Sequence, residues 1–214
     1  MNYKRNQIFE AIAGVFKATG EPVPAALETK LRRLLELDKE LGCTPRSSDP
    51  ERASFAFYSA APQGTGVDTE FSGADGFAVM TSLRLLEHGF PQRSAVTIMR
   101  RVRPQLEKEH ARILRQDPRK LFDAEVVRDR AQPGALAFGN TDPVILAIVS
   151  AGASSQERTA QRACAVCRGQ EALAAFLNQH RSAPWTAMEL SNGTHLFAQE
   201  LAKTKPRMRG HKSR

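Results

Sequence analysis

Cysteine and long apolar runs are scarce in this chain, its basic C-terminus has no aromatic residue, and each lack narrows the class of protein. Three cysteines cannot all pair within one chain, which argues against a secreted disulfide framework. The basic stretch "RMRGHKSR" at the C-terminus has no aromatic residue, so it lacks the interleaving that would add base stacking on single strands. No stretch approaches the roughly 18–20 apolar residues that span a bilayer. Catalytic signatures are missing as well. Among His88, His110, His180, His195 and His211 no pair stands in an HxxxH or HExxH arrangement, which would put two metal ligands on one helix face. "GTG" at 64–66 and "GADG" at 73–76 are poor in glycine for a phosphate-binding loop, and no GK[ST] follows. The "AGASS" loop after Ser150 lacks nucleophile-elbow spacing. The expectation is a protein that is not an enzyme, with no cofactor and no metal.

What is present is a soluble composition, 41% apolar and 25% charged, with an uneven distribution of charge. Thirty-one basic and 23 acidic residues give a net charge of +8. Lys203, Lys205, Arg207, Arg209, Lys212 and Arg214 stand within the last twelve residues, "KTKPRMRGHKSR", where there is no carboxylate. Residues 1–202 are therefore nearly balanced. The run has Pro206, Gly210 and almost no apolar residue, so a disordered basic tail is expected. Such a tail supplies sequence-independent phosphate affinity with a steep salt dependence. It equally suits RNA, anionic lipid or an acidic protein, or serves only as a solvated terminus.

Residues 6–19 carry Ile8, Ile12, Val15 and Phe16 at helical spacing. "TGEPVP" ends that helix, because Gly20 suits a helix terminus and Pro22 and Pro24 cannot continue one. Glu10 and Lys17 interrupt the apolar stretch, so a signal peptide is not read here and a cytoplasmic protein is expected. A second helix over 25–41 is lined by Leu27, Leu31, Leu34, Leu35 and Leu41 and closed by Gly42. Polar loop follows through 43–52. "ASFAFYS" and "GVDTEFS", on either side of "AAPQGTG", read as a β-hairpin. Helices are expected again over 73–88 and 91–117, the second kinked or split by Pro104.

Beyond residue 117 the pattern changes. A connector with a short helical turn precedes "ALAFG", "PVILAIVS" and "QRACAVC", read as three strands. "GQEALAAFLNQHR" is read as a helix, "WTAMELS" as a fourth strand, and "THLFAQELAKT" as a last helix with Thr194 near its N-cap. The overall reading is α+β: a helical module over 1–117 with a β-hairpin, a small α/β module over 118–202, and the basic tail over 203–214. Cys164 and Cys167 form a CxxC pair with two readings. One is a thioredoxin-like redox site or a thiol-dependent enzyme; the other is a core strand using cysteine as a small apolar residue.

Helix, turn, helix, hairpin, helix, helix is the order in the first half. With "IAGVFKATGEPVP" at its opening corner, the aromatic "ASFAFYS", and Leu83, Arg84, Leu86, Gly89 and Phe90 in "SLRLLEHGFPQRSAVTIMRR", residues 6–116 resemble the winged helix-turn-helix DNA-binding module of the MerR-type bacterial transcription regulators. The family's recognition-helix aromatics are replaced here by "LRRLLELD", and its long dimerising helix by the α/β module. The resemblance implies DNA binding and transcription regulation, with duplex DNA as partner and a small-molecule effector or protein partner at the second module; a homodimer is expected only because symmetric DNA binders are commonly dimers. Side chains that reach phosphates and base edges are chiefly Arg and Lys. Lys30, Arg32 and Arg33 on the second helix, Arg46 in the loop, Arg100, Arg101 and Arg103 on the fourth helix, and the six tail cations are the candidate contacts. Each cluster can instead be an ordinary solvated helix face. From a different class, a non-enzymatic protein–protein adaptor is the alternative, and a large exposed apolar patch would favour it.

Overall fold

The computed structural model describes residues 1–16, 23–62, 69–125, 128, 140–150, 163–181 and 183–206. It is an α+β fold. Helices α1 (Arg5–Val15), α2 (Ala25–Glu40), α3 (Pro50–Ala53), α4 (Gly73–Glu87) and α5 (Gln92–Ile113) come first, with strands β1 (Tyr3–Lys4) and β2 (Glu70–Phe71). Helix α6 (Pro118–Leu121), strands β3 (Val144–Val149) and β4 (Cys164–Arg168), helix α7 (Gly169–Asn178), strand β5 (Trp185–Glu189) and helix α8 (Ser191–Lys203) follow. The chain divides into two compact units. One is Met1–Arg103 with the chain from Leu196 onward; the other is Pro104–His195. No helix among the described residues is long and apolar enough to cross a membrane.

The first unit is built around α4. From Asp75 to Leu83 every residue of this helix is buried, the polar Asp75, Thr81 and Ser82 among them. A reciprocal cap starts it: Ser72 Oγ accepts the Asp75 N–H at 3.1 Å, and an Asp75 carboxylate oxygen accepts the Ser72 N–H at 2.7 Å. Gly89, at φ +82°, closes it in the left-handed conformation that glycine enters without a Cβ clash. Ile8, Phe9 and Ile12 of α1, Leu31, Leu34 and Leu35 of α2, and Phe197 and Leu201 of α8 add to the buried apolar set. Gly76 lets two of these elements come close. A Cβ there would sit 2.6 Å from both Ile8 Cδ1 and Phe197 Cζ.

A small antiparallel ladder is present, but its partners are not those expected. Tyr3 and Lys4 pair with Phe71 and Glu70, whereas residues 54–59 form no strand. The reason is a competing acceptor. The backbone N–H groups of Ala56 and Phe57 donate to the Asp38 carboxylate at 3.1 and 3.0 Å, which takes them out of any ladder. Pro104 does not split α5, which runs unbroken from Gln92 to Ile113. The region read as pure loop contains α3, begun by Asp49, whose side chain accepts the Glu51 N–H at 2.9 Å.

In the second unit β3 is the central strand of an antiparallel sheet ordered β4-β3-β5. Ile145 faces Cys167 on one side and Glu189 on the other. All six residues of β3 are buried, which is why its sequence, VILAIV, shows no polar alternation. One sheet face packs Ile145, Ala147 and Cys167 against Leu173, Phe176 and Leu177 of α7. The expected strand "ALAFG" lies outside the described residues. Helix α8 starts three residues before Thr194, because the Glu189 carboxylate accepts the N–H groups of Ser191 and Asn192 at 2.6 and 3.0 Å.

Candidate nucleic-acid interface

The cations singled out from sequence fall into three groups. The first is exposed and without a partner among the described residues: the side chains of Lys30, Arg33 and Arg46. Helix α2 turns Leu31, Leu34, Leu35 and Asp38 inward, so by helical geometry Lys30 and Arg33, three residues apart, share the outer side of its middle turns. Glu36 and Glu40 occupy the outer side further along. Arg32 lies nearby, but its guanidinium bonds Glu28 across one turn at 2.5 Å.

The second group is the "MRRVR" cluster, and it faces inward. Arg100 is 3% exposed; its Nε donates to Asp38 at 2.7 Å, its Nη1 to the Glu51 carbonyl at 2.8 Å and its Nη2 to the Asp38 carbonyl at 2.6 Å. Arg103 is likewise buried, paired with Asp75 and donating to the Ala56 carbonyl at 2.8 Å and to Ser59 Oγ at 3.1 Å. Arg101 is held by Glu51, with Nε to Oε1 at 2.5 Å. All three therefore clamp the segment 51–59 onto α5. A buried guanidinium whose donors are met by a carboxylate and by backbone carbonyls has nothing left for a phosphate. Arg100 and Arg103 accordingly drop out as surface contacts, and Arg101 reaches the surface only as half of an ion pair. The same network buries the Tyr58 hydroxyl, which donates to the Leu35 carbonyl at 3.3 Å. Burial, reinforced by the Asp38 charge, pushes its pKa up to about 12.

The third group is the basic C-terminus. Lys203 ends α8 and bonds Glu200 at 2.6 Å; Lys205 is exposed. Arg207, Arg209, Lys212 and Arg214 lie outside the described residues. The root of this run is anchored on α1. Asn6 Nδ2 donates to the Lys205 carbonyl at 3.3 Å, and Gln7 Nε2 donates to Thr204 Oγ1 at 3.3 Å. Gln7 is buried and its other amide atom accepts the Lys4 N–H at 3.0 Å, so one side chain caps α1 and holds the chain after α8. No sequence pattern pointed to Asn6 or Gln7. Asp38 and Asp75 were more legible: Asp38 continues the Leu31–Leu34–Leu35 stripe, and Asp75 completes the cap begun by Ser72.

Elsewhere, Cys164 and Cys167 lie on β4 opposite Ile148 and Ile145. Three residues apart on a strand, they point to opposite sheet faces, and all three cysteines of the chain are free thiols. Burial raises the Cys167 pKa, the reverse of what a reactive thiolate needs. Four large apolar residues are exposed among those described: Met1 and Leu196 in the first unit, Leu114 and Trp185 in the second.

No protein-family model matches the chain, and no curated protein is significantly similar to it.

Proposed function

We propose that the protein binds duplex DNA through its first unit and acts as a transcription regulator, with a binding rather than a catalytic role in a cytoplasmic setting. The middle of α2 presents Lys30 and Arg33 to the DNA, and the basic C-terminus adds contacts to neighbouring phosphates. The observation that carries this reading is the anchorage of the basic run. Asn6 and Gln7 tie Thr204 and Lys205 to α1, so the densest positive charge in the chain starts from the same unit as α1 and α2. The regulator role rests on the helix order shared with the MerR-type module, with α4 and α5 as the second pair across the Gly89–Phe90 corner. A wing formed by 53–59 is not part of the proposal. Two copies on a symmetric operator belong to it.

The test is duplex binding against salt. Three proteins are compared: the full chain, the Lys30→Gln/Arg33→Gln double variant, and a chain ending at Pro206, which keeps the Thr204 and Lys205 contacts. Each phosphate contact removed is expected to flatten the log–log salt dependence by about 0.9. The double variant is expected to lose preference between sequences, and the shortened chain only affinity. If the chain ending at Pro206 binds no duplex even at low salt, the first unit is no DNA reader, and the adaptor reading takes its place.

A further inference from the structure

Among the described residues, the non-glycine residue with positive φ is Arg46, at +78°. Its setting is a tight turn over Thr44–Ser47, closed by the Ser47 N–H on the Thr44 carbonyl at 3.0 Å. Pro45 stands at the second position and Arg46 at the third, where a turn of this handedness favours glycine. The conformation is held from several directions. The Thr44 N–H donates to the Arg52 carbonyl at 2.7 Å, the Asp49 N–H to Ser47 Oγ at 3.1 Å, and Cys43 Sγ to the Ala53 carbonyl at 3.2 Å. Arg100 and Arg101 fix Glu51 by its carbonyl and its carboxylate. The loop therefore cannot relax around Arg46, and strained backbone persists only where its surroundings over-determine it. The side chain offers the fold no compensation: it is exposed and forms no hydrogen bond or ion pair with any described residue. Among the described residues no contact of the Arg46 side chain accounts for an arginine where glycine fits better, which leaves its guanidinium free for a contact outside the molecule.

We infer that Arg46 is a phosphate contact of the DNA-binding surface, positioned by the strained turn just beyond the C-terminal end of α2. This rests on the DNA-binding reading above and adds to it a cation on a held turn beyond the C-terminal end of α2. Between Lys30 and Arg46 in sequence stand Glu36 and Glu40, exposed carboxylates that repel phosphate, so DNA would be gripped on either side of this acidic stretch. As a phosphate contact it reads no bases, and its loss weakens binding to unrelated sequences equally.

The turn supplies its own control. Arg46→Gly removes the side chain and also relieves the backbone, so the thermal midpoint of the variant stays at or above that of the parent. Weaker binding then cannot be ascribed to a damaged fold. Salt titrations with two unrelated duplexes would be run on the full chain, Arg46→Gly and Arg46→Lys. The expected result is a several-fold loss for Arg46→Gly on both duplexes, a log–log slope flatter by about 0.9, and recovery of the slope with Arg46→Lys. If the full chain binds and Arg46→Gly binds with unchanged affinity and slope, the inference about Arg46 is overturned while the DNA-binding reading stands. If the full chain binds neither duplex, both fall together. A loss confined to one duplex would make Arg46 a base reader and also overturn the phosphate assignment.

Discussion

Asp38 shows how much one side chain decides. It is fully buried, and its carboxylate meets the Arg100 guanidinium and two backbone N–H groups. Breaking a buried pair from one side leaves the other charge unmet, which typically costs about 3–5 kcal/mol. Asp38→Ala is expected to lower stability by that order and to release the 51–59 segment. A denaturant titration measures the first, and faster amide exchange at Ala56 and Phe57 the second. A loss below about 1 kcal/mol would mean that the pair is no more than a surface-type contact. The residue was partly legible in sequence. An aspartate continuing a leucine stripe must be buried, and a buried carboxylate needs a partner. Its partner was not legible, because Arg100 lies 62 positions away and looks in isolation like any exposed cation.

At the scale of elements, α4 is the axis of the first unit and Gly76 is where its neighbours come closest. Gly76→Ala would bring a methyl group within 2.6 Å of Ile8 on α1 and Phe197 on α8. Overpacking of this kind costs about 1–3 kcal/mol, read as a lower denaturant midpoint with an unchanged slope. An unchanged midpoint would show that α1 and α8 have room to move apart. Helices were the most legible elements, since apolar spacing and terminal glycines mark them directly. Short strands were the least legible. "ASFAFYS" has the composition of a strand, yet Asp38 captures its amides and Tyr3–Lys4 takes the place beside Phe71.

Charge is arranged differently in the two units, and acid acts most clearly on the second. Burial favours the neutral form of Glu109, but hydrogen bonds from Arg168 and Arg112 outweigh it and hold the carboxyl below its ordinary value. Asp142 behaves likewise: burial raises its pKa, while Arg112 and Gln116 lower it further. Groups with depressed folded pKa values stabilise above the unfolded value, and the contribution fades as pH falls through the folded one. For these two carboxyls that window opens near pH 4. His195 acts earlier. Burial lowers its pKa from 6.5, opposed by Glu189, and it packs edge-on to Phe122 at 6.0 Å between ring centroids. The unfolded chain therefore takes up the proton first, and stability declines as pH drops below about 6.5. Thermal midpoints of the full chain between pH 7.5 and 5 are expected to fall, and His195→Gln to flatten that fall. Equal slopes in the two proteins would remove His195 as the source.

The sequence alone determined the α+β class, most helix positions, the absence of a long apolar span and the concentration of positive charge at the C-terminus. These are local properties, written in spacing, composition and terminal residues. Tertiary structure decided which charges remain available. Arg100 and Arg103 have the same sequence appearance as Lys30 and Arg33, but the buried carboxylates of Asp38 and Asp75 claim them, because an ion inside a protein must be paired and one in water need not be. It also decided that the last helix and the root of the basic run join the first unit, through contacts spanning nearly the whole chain length. No local pattern encodes such a contact; only the folded chain brings Asn6 and Gln7 to Lys205 and Thr204.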